Sequence, residues 1–306
     1  MGKKHCSVCL KCVFIAESAA FMLRYNVFWS LLYDVMINIL NNLFKKKKKK
    51  LGLALGSGGA KGMAHVGILR AFDEEDISFD CVAGTSIGSV IGAMYAAGYS
   101  SASMIKYLDE LDFFAAQTIV KLTLTGKSVE DIFGDVIGGS SFDDLLIPFA
   151  AVATDLKTGE EVVIKSGSVA KAMRASSAIP PVLKPASANG KMLIDGAYVN
   201  SVPSDLVKNM GADIVIGVNL SAQLPFNDRI KAALDEKYPD NGVKICDRAM
   251  AGRVYSDVLL TPDLQDYSSA TVSKTKLNEM YEIGYETAKS KMSEITDLLK
   301  KNKIEW

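Results

Sequence analysis

From Leu51 onward, short apolar runs alternate with segments whose apolar residues recur at helical spacing. LGLAL (51–55), FDCVAG (79–84), PFAAVATDL (148–156), EEVVIKSG (160–167), KMLIDG (191–196) and DIVIGVNL (213–220) read as strands. Between them AKGMAHVGILRAFDEE (60–75), IGSVIGAMYAAG (87–98), SVAKAMRASSA (168–178) and PSDLVKNMG (203–211) read as helices. Gly98 and Gly211 stop two of these, and Pro180-Pro181 stops a third. Residues 276–300 make a long terminal helix. Alternation of this kind predicts an α/β fold with a largely parallel central sheet flanked by helices.

Residues 1–50 follow a different rule. Val13 to Phe44 is mostly apolar, with polar residues at Asn26, Ser30, Asp34, Asn38, Asn41 and Lys45. On a helix these form one narrow polar stripe on an apolar cylinder. Glu17, Arg24 and Asp34 interrupt the run, so it lacks the ~20 clean apolar residues of a membrane span. An interfacial helix followed by Lys45–Lys50 suits an anionic membrane surface. The expected organisation is an N-terminal appendage over 1–50 and one domain over 51–300. Residues 13–50 would hold the chain at the inner surface of a membrane, in the cytoplasm. The competing reading is low-complexity sequence with no anchoring role.

Composition narrows the chemistry. Lys plus Arg (35) balances Asp plus Glu (35), so no global charge argues for nucleic acid. Cys6, Cys9 and Cys12 lack a fourth ligand at useful spacing, and Cys81 and Cys246 stand alone, so neither a metal site nor a disulfide framework is expected. Histidine occurs only at positions 5 and 65.

Two glycine-rich strand-to-helix turns carry candidate chemistry. Gly84-Thr85-Ser86-Ile87-Gly88 has the spacing of a nucleophile elbow, where small neighbours let a serine sit in a strained conformation and expose its oxygen. Gly56-Ser57-Gly58-Gly59-Ala60-Lys61-Gly62 can turn its N–H groups inward at a helix N-terminus. It fails as a Walker loop because Gly62 follows Lys61, and it fails the strict dinucleotide pattern as well. A phosphate, a nucleotide or an oxyanion all remain open for it. A Ser-His-Asp triad with the histidine after the acid is excluded, because no histidine follows position 65. The base for Ser86 is then a carboxylate or a lysine. Asp195 is the best placed, at a strand end before the small residues Gly196 and Ala197.

Taken in order, the Lys-Gly glycine loop, G-T-S-I-G and D-G-A resemble the patatin-like phospholipase family. MRASSAIPPVLKP (173–185) and DVLLTPDLQDYS (257–268) extend the resemblance across residues 51 to about 290. It implies a three-layer patatin-like fold and a dyad of Ser86 with Asp195. It further implies an oxyanion hole from Gly58, Gly59 and Ala60, supported by Gly56, Lys61, Gly62, Gly84, Gly88 and Gly196. No metal or cofactor is implied, and the substrate would be an acyl ester of a phospholipid, a lysophospholipid or a simpler lipid. Ser57 stands where many members have Gly, and Lys61 where many have Arg. Acyl transfer at the same site, or phosphate binding by the glycine loop alone, are the alternatives.

Overall fold

The computed structural model describes residues 33, 35–37, 48–110, 128–180, 183–188, 190–221, 228–244, 247–304 and 306. The chain divides into two compact units, Met1–Lys48 and Lys49–Trp306. In the first, Tyr33 and Val35 to Ile37 are helical. The Cys6–Cys12 run, the polar stripe from Asn26 to Lys45, and Lys46 and Lys47 lie outside the described residues. No described helix is long and apolar enough to cross a membrane. The end of the lysine run belongs to the larger unit. Lys50 N–H donates to the Asp213 carboxylate at 2.8 Å, and the Lys50 carbonyl accepts from Asp213 N–H. Lys49 Nζ donates to Asn302.

The strands are β1 (Leu51–Leu55), β2 (Cys81–Thr85), β3 (Phe149–Asp155), β4 (Glu161–Ile164), β5 (Ala186–Ala188), β6 (Lys191–Asp195), β7 (Ile214–Val218) and β8 (Val258–Leu260). The helices are α1 (Met63–Asp73), α2 (Ile87–Ala96), α3 (Ser101–Glu110), α4 (Val129–Val136), α5 (Val169–Ser176), α6 (Ser204–Asn209), α7 (Asp228–Lys237) and α8 (Lys274–Asn302). Pairing runs β5-β6-β3-β2-β1-β7-β8, with β4 also on β3. β3, β2, β1, β7 and β8 are parallel, whereas β4, β6 and β5 join antiparallel. The sheet is therefore mixed, and its parallel part is the one expected. β5, β8, α3, α4 and α7 are elements that the apolar pattern does not announce: the strands have three residues each, and α7 is strongly polar.

Residue size sorts the two faces of the sheet. Leu51, Leu53, Leu55, Val82, Ile214, Ile216 and Val218 point into the large core shared with α1, α2 and α8. Their alternating neighbours Ala54, Ala83, Ala150 and Val215 face Val207 of α6. Small residues on that face let α6 lie close to the backbone.

α1 and α8 cross with their backbones in near contact. A Cβ on Gly67 would strike the Tyr281 carbonyl, and a Cβ on Gly284 would strike the Ala64 carbonyl. Helix propensity alone says that Gly67→Ala stabilises by about 1 kcal/mol. Overpacking against backbone costs about 1–3 kcal/mol, so a net destabilisation is expected. Chemical denaturation should show a lower midpoint for Gly67→Ala; a higher midpoint would mean that the helices do not cross there.

Candidate active site

Register on β3 brings the two leading candidates together. Thr85 of β2 pairs with Val152, and Asp195 of β6 pairs with Ala153, the next residue along. β4 covers Ala151 to Thr154, and a strand has only two edges. β2 and β6 must therefore share the opposite edge, one parallel to β3 and one antiparallel, meeting end to end. Ser86 leaves the tip of β2 just where Asp195 closes β6. Its Oγ donates to Asp195 Oδ2 at 2.6 Å.

The turn holding Ser86 is strained. Ser86 has φ 55° and ψ −126°, a region that non-glycine residues seldom occupy. Close approach explains its glycine neighbours. A Cβ on Gly84 would meet the Gly88 carbonyl, and one on Gly88 would meet the Leu55 carbonyl. The elbow thus packs directly on the end of β1, from which the glycine loop departs.

Within that loop the amides are unequally engaged. Gly56 N–H donates to Val218, Ser57 N–H to Ser201 and Ala60 N–H to Ser269, each to a carbonyl at 2.8–3.0 Å. Gly58 and Gly59 N–H have no partner among the described residues. Ala60, expected as a third donor, is thus occupied, and Gly58 and Gly59 are left available for an oxyanion. Gly59–Gly62 form a 3-10 turn that leads into α1. Partial burial holds the Lys61 ammonium below its usual pKa, and this side chain lines a cleft of about 460 Å³ with Ser221, Thr261, Asp263 and Asp266. Lys61 has no described contact with Asp195.

His65 is fully buried beneath the loop, and its Nε2 lies 2.8 Å from the Gly56 carbonyl. A carbonyl only accepts, so Nε2 carries the proton. Nδ1 is buried without a partner among the described residues, and burial lowers the imidazole pKa to about 4. This ring is neutral and props the loop.

Asp195 has no basic partner among the described residues. Burial pushes its carboxyl up to about 7, against the opposing pull of the Ser86 hydroxyl and the Ala197 N–H. Asp155, two residues from Ala153 on β3, is nearly as buried but differently served. Desolvation raises it, yet Lys191 at 3.1 Å and the N–H groups of Lys157 and Thr158 outweigh that and bring it below the usual carboxylate range. Asp205, another acid near an element end, accepts from Asn200 Nδ2 at 2.8 Å. Among the described residues, no cluster of His, Cys, Asp and Glu is suited to a metal ion.

Sequence reasoning passes over several hydroxyls that surround the pair. Thr154 Oγ1 donates to the Asp195 carbonyl, Thr85 Oγ1 to the Asn200 carbonyl, and Ser57 Oγ pairs with Ser201 Oγ at 2.7 Å. Hydroxyl residues at strand ends are common, and only the register shows what these reach.

Burial of Asp195 has a consequence for stability. Its folded pKa, about 7, lies above the unfolded value of about 3.9, so the folded state holds this proton more tightly. The resulting stability is complete below pH ~4 and is lost as the pH rises to about 7, at about 1.4 kcal/mol for each pH unit across the window. Asp195→Asn removes the ionisation and keeps the shape. Urea midpoints should therefore fall less between pH 4 and 8 for this variant than for the wild type, and at pH 8 the variant should be the more stable. Equal slopes would mean that Asp195 does not titrate in this window.

The chain is similar to several known proteins. The sequence profile of the Patatin-like phospholipase family matches residues 53–208. An uncharacterized NTE family protein of Mycobacterium tuberculosis is 35% identical over 185 residues, covering 56% of this chain and 49% of that protein. Patatin-like phospholipase domain-containing protein 6 of Homo sapiens is 34% identical over 190 residues, covering 56% of this chain and 13% of that protein. The chain thus spans about half the length of the mycobacterial relative and far less of the other. VipD from Legionella pneumophila aligns with a TM-score of 0.49 at 16% identity, over 79% of this chain and 66% of that one. The matched span 53–208 is just over half of the 306 residues and contains the glycine loop, the elbow and Asp195: the chain belongs to the patatin-like phospholipase family.

Proposed function

We propose that the chain hydrolyses acyl esters of phospholipids or related lipids, with Ser86 as nucleophile and Asp195 as its base. The observation that carries this is the 2.6 Å hydrogen bond from Ser86 Oγ to a fully buried carboxylate. Asp195 takes the Ser86 proton as Oγ attacks the ester carbonyl. The oxyanion that forms accepts from Gly58 and Gly59 N–H, donors fixed before the reaction begins. The carbonyl–oxygen bond then breaks, and the departing alcohol takes the proton from Asp195. A water, deprotonated by the same carboxylate, then attacks the acyl carbonyl; the bond to Ser86 Oγ breaks, and Oγ takes the proton back from Asp195. His65, neutral and turned toward Gly56, moves no proton in this scheme. A base must be ionised to act, so the raised Asp195 pKa puts the acid limb of kcat/KM near pH 7.

Ser86→Ala should abolish hydrolysis of a soluble short-chain ester and covalent labelling by a fluorophosphonate. Asp195→Asn should fall nearly as far, and the double variant no further, because both residues serve one step. His65→Ala should keep a substantial fraction of the activity. Labelling of folded Ser86→Ala, or Asp195→Asn activity within about tenfold of wild type, an effect near 1.4 kcal/mol, would falsify the dyad.

The N-terminal appendage fits a substrate held in a membrane. Residues 13–50 would bring the domain to an anionic surface, each lysine near it contributing about 1 kcal/mol. Removing residues 1–47 should weaken binding to phosphatidylserine vesicles while hydrolysis of the soluble ester continues; unchanged vesicle binding would sink this role.

A further inference from the structure

The segment Ser176-Ser177-Ala178, at the end of α5, has no part in the chemistry above, yet it touches both halves of the dyad. Ser86 N–H donates to Ser176 Oγ at 2.9 Å, and Ser176 Oγ donates in turn to the Val152 carbonyl at 2.6 Å. Two residues on, the Ala178 carbonyl accepts from Asp195 N–H at 2.8 Å. Arg174 Nη2 donates to the Lys184 carbonyl and closes the loop that follows. Ser176 is wholly buried, and its hydroxyl has a donor on one side and an acceptor on the other.

The position of these bonds matters. Val152 is the β3 residue paired with Thr85, and Ala153, paired with Asp195, is its neighbour. The Ser176 hydroxyl therefore pins the strained Ser86 backbone to the same stretch of β3 that sets the place of Asp195. Without it, the Ser86 N–H and the Val152 carbonyl would be buried without partners, and φ 55° at Ser86 would lose its local restraint.

We infer that Ser176 is a positioning residue for the dyad, its hydroxyl holding Ser86 at the φ and the register from which Oγ reaches Asp195. It touches no substrate. The inference rests on the Ser86–Asp195 reading, so Ser86→Ala is the first arm of the test. Activity or fluorophosphonate labelling surviving in that variant defeats the dyad itself, and the inference with it.

With Ser86→Ala inactive, Ser176→Ala and Ser176→Cys are compared with the wild type on a soluble ester. A misplacement on the ångström scale costs up to about a hundredfold in rate. Ser176→Ala should lose about 10- to 100-fold in kcat with KM within about twofold, and labelling should slow in parallel. The thiol of Ser176→Cys keeps the volume and a weak donor, so that variant should lie between the two. A looser Ser86–Asp195 bond also withdraws a contact that favours the ionised carboxylate, so the acid limb of kcat/KM should move to higher pH. A purely structural loss would not move that limb. Ser177→Ala, whose hydroxyl has no hydrogen-bond partner among the described residues, should keep wild-type kcat and serves as the control. A folded Ser176→Ala or Ser176→Cys with wild-type kcat and an unmoved acid limb overturns the inference. Failure of both Ser176 variants to fold overturns it too, since the hydroxyl would then serve the fold rather than the dyad.

Discussion

Everything at the site depends on one edge of β3 being shared by two strands of opposite sense. A parallel strand delivers its C-terminal turn to the top of the sheet, the usual place for chemistry in α/β folds. An antiparallel strand arriving along the same edge from the other end delivers its own C-terminus to the same point. Because Thr85 stands opposite Val152 and Asp195 opposite Ala153, the two chain ends face each other with no residue between them on β3. A slip of one residue in β6 would turn the carboxylate to the other face of the sheet. The mixed character of the sheet is thus what makes a pairing of Ser86 with Asp195 possible. A wholly parallel sheet could not bring two strands head to head.

The same junction explains why two acids so close in the sheet behave oppositely. Asp155 sits at the end of β3, where a turn exposes N–H groups and Lys191 can reach it. Asp195 sits where β2, β3 and β6 meet, and its buried carboxylate accepts from the Ser86 hydroxyl and the Ala197 N–H with no cation beside it among the described residues. Desolvation costs a carboxylate most where nothing of opposite charge compensates it. One acid is held ionised and becomes structural. The other is kept basic near neutral pH, at the expense of stability.

Much of this was legible in the chain and some was not. β1, β2, β3 and β7 are short, wholly buried and mostly apolar runs, and a buried parallel strand leaves that mark in a sequence. The elbow could be read because its close backbone packing demands Gly84 and Gly88. The partnership of Ser86 with Asp195 followed from the want of a histidine and from family resemblance, since residues 109 apart carry no local sign of contact. Hidden altogether were the edge shared by β2 and β6, which is a matter of register, and the loss of Ala60 as a donor, which depends on Ser269. α7 escaped notice because its sequence, DRIKAALDEK, carries too few apolar positions to show a clear stripe.

The hydroxyls around the site answer a constraint that charges could not. The hydrogen bond between Ser86 and Asp195 lies where several backbone segments meet, and an ion pair could also have joined such segments. A lysine or arginine close to Asp195 would favour its ionised form and lower its basicity. Ser176, Thr154, Thr85, Ser89, Ser57 and Ser201 do the holding instead, each joining its neighbours by hydrogen bonds without adding charge. Ser57 is instructive here. Its hydroxyl meets Ser201, and its N–H meets the Ser201 carbonyl, so the glycine loop is fastened twice to the segment that follows Asp195. Loop, elbow and acid are thereby joined through neutral groups, and the field at the carboxylate stays governed by its burial.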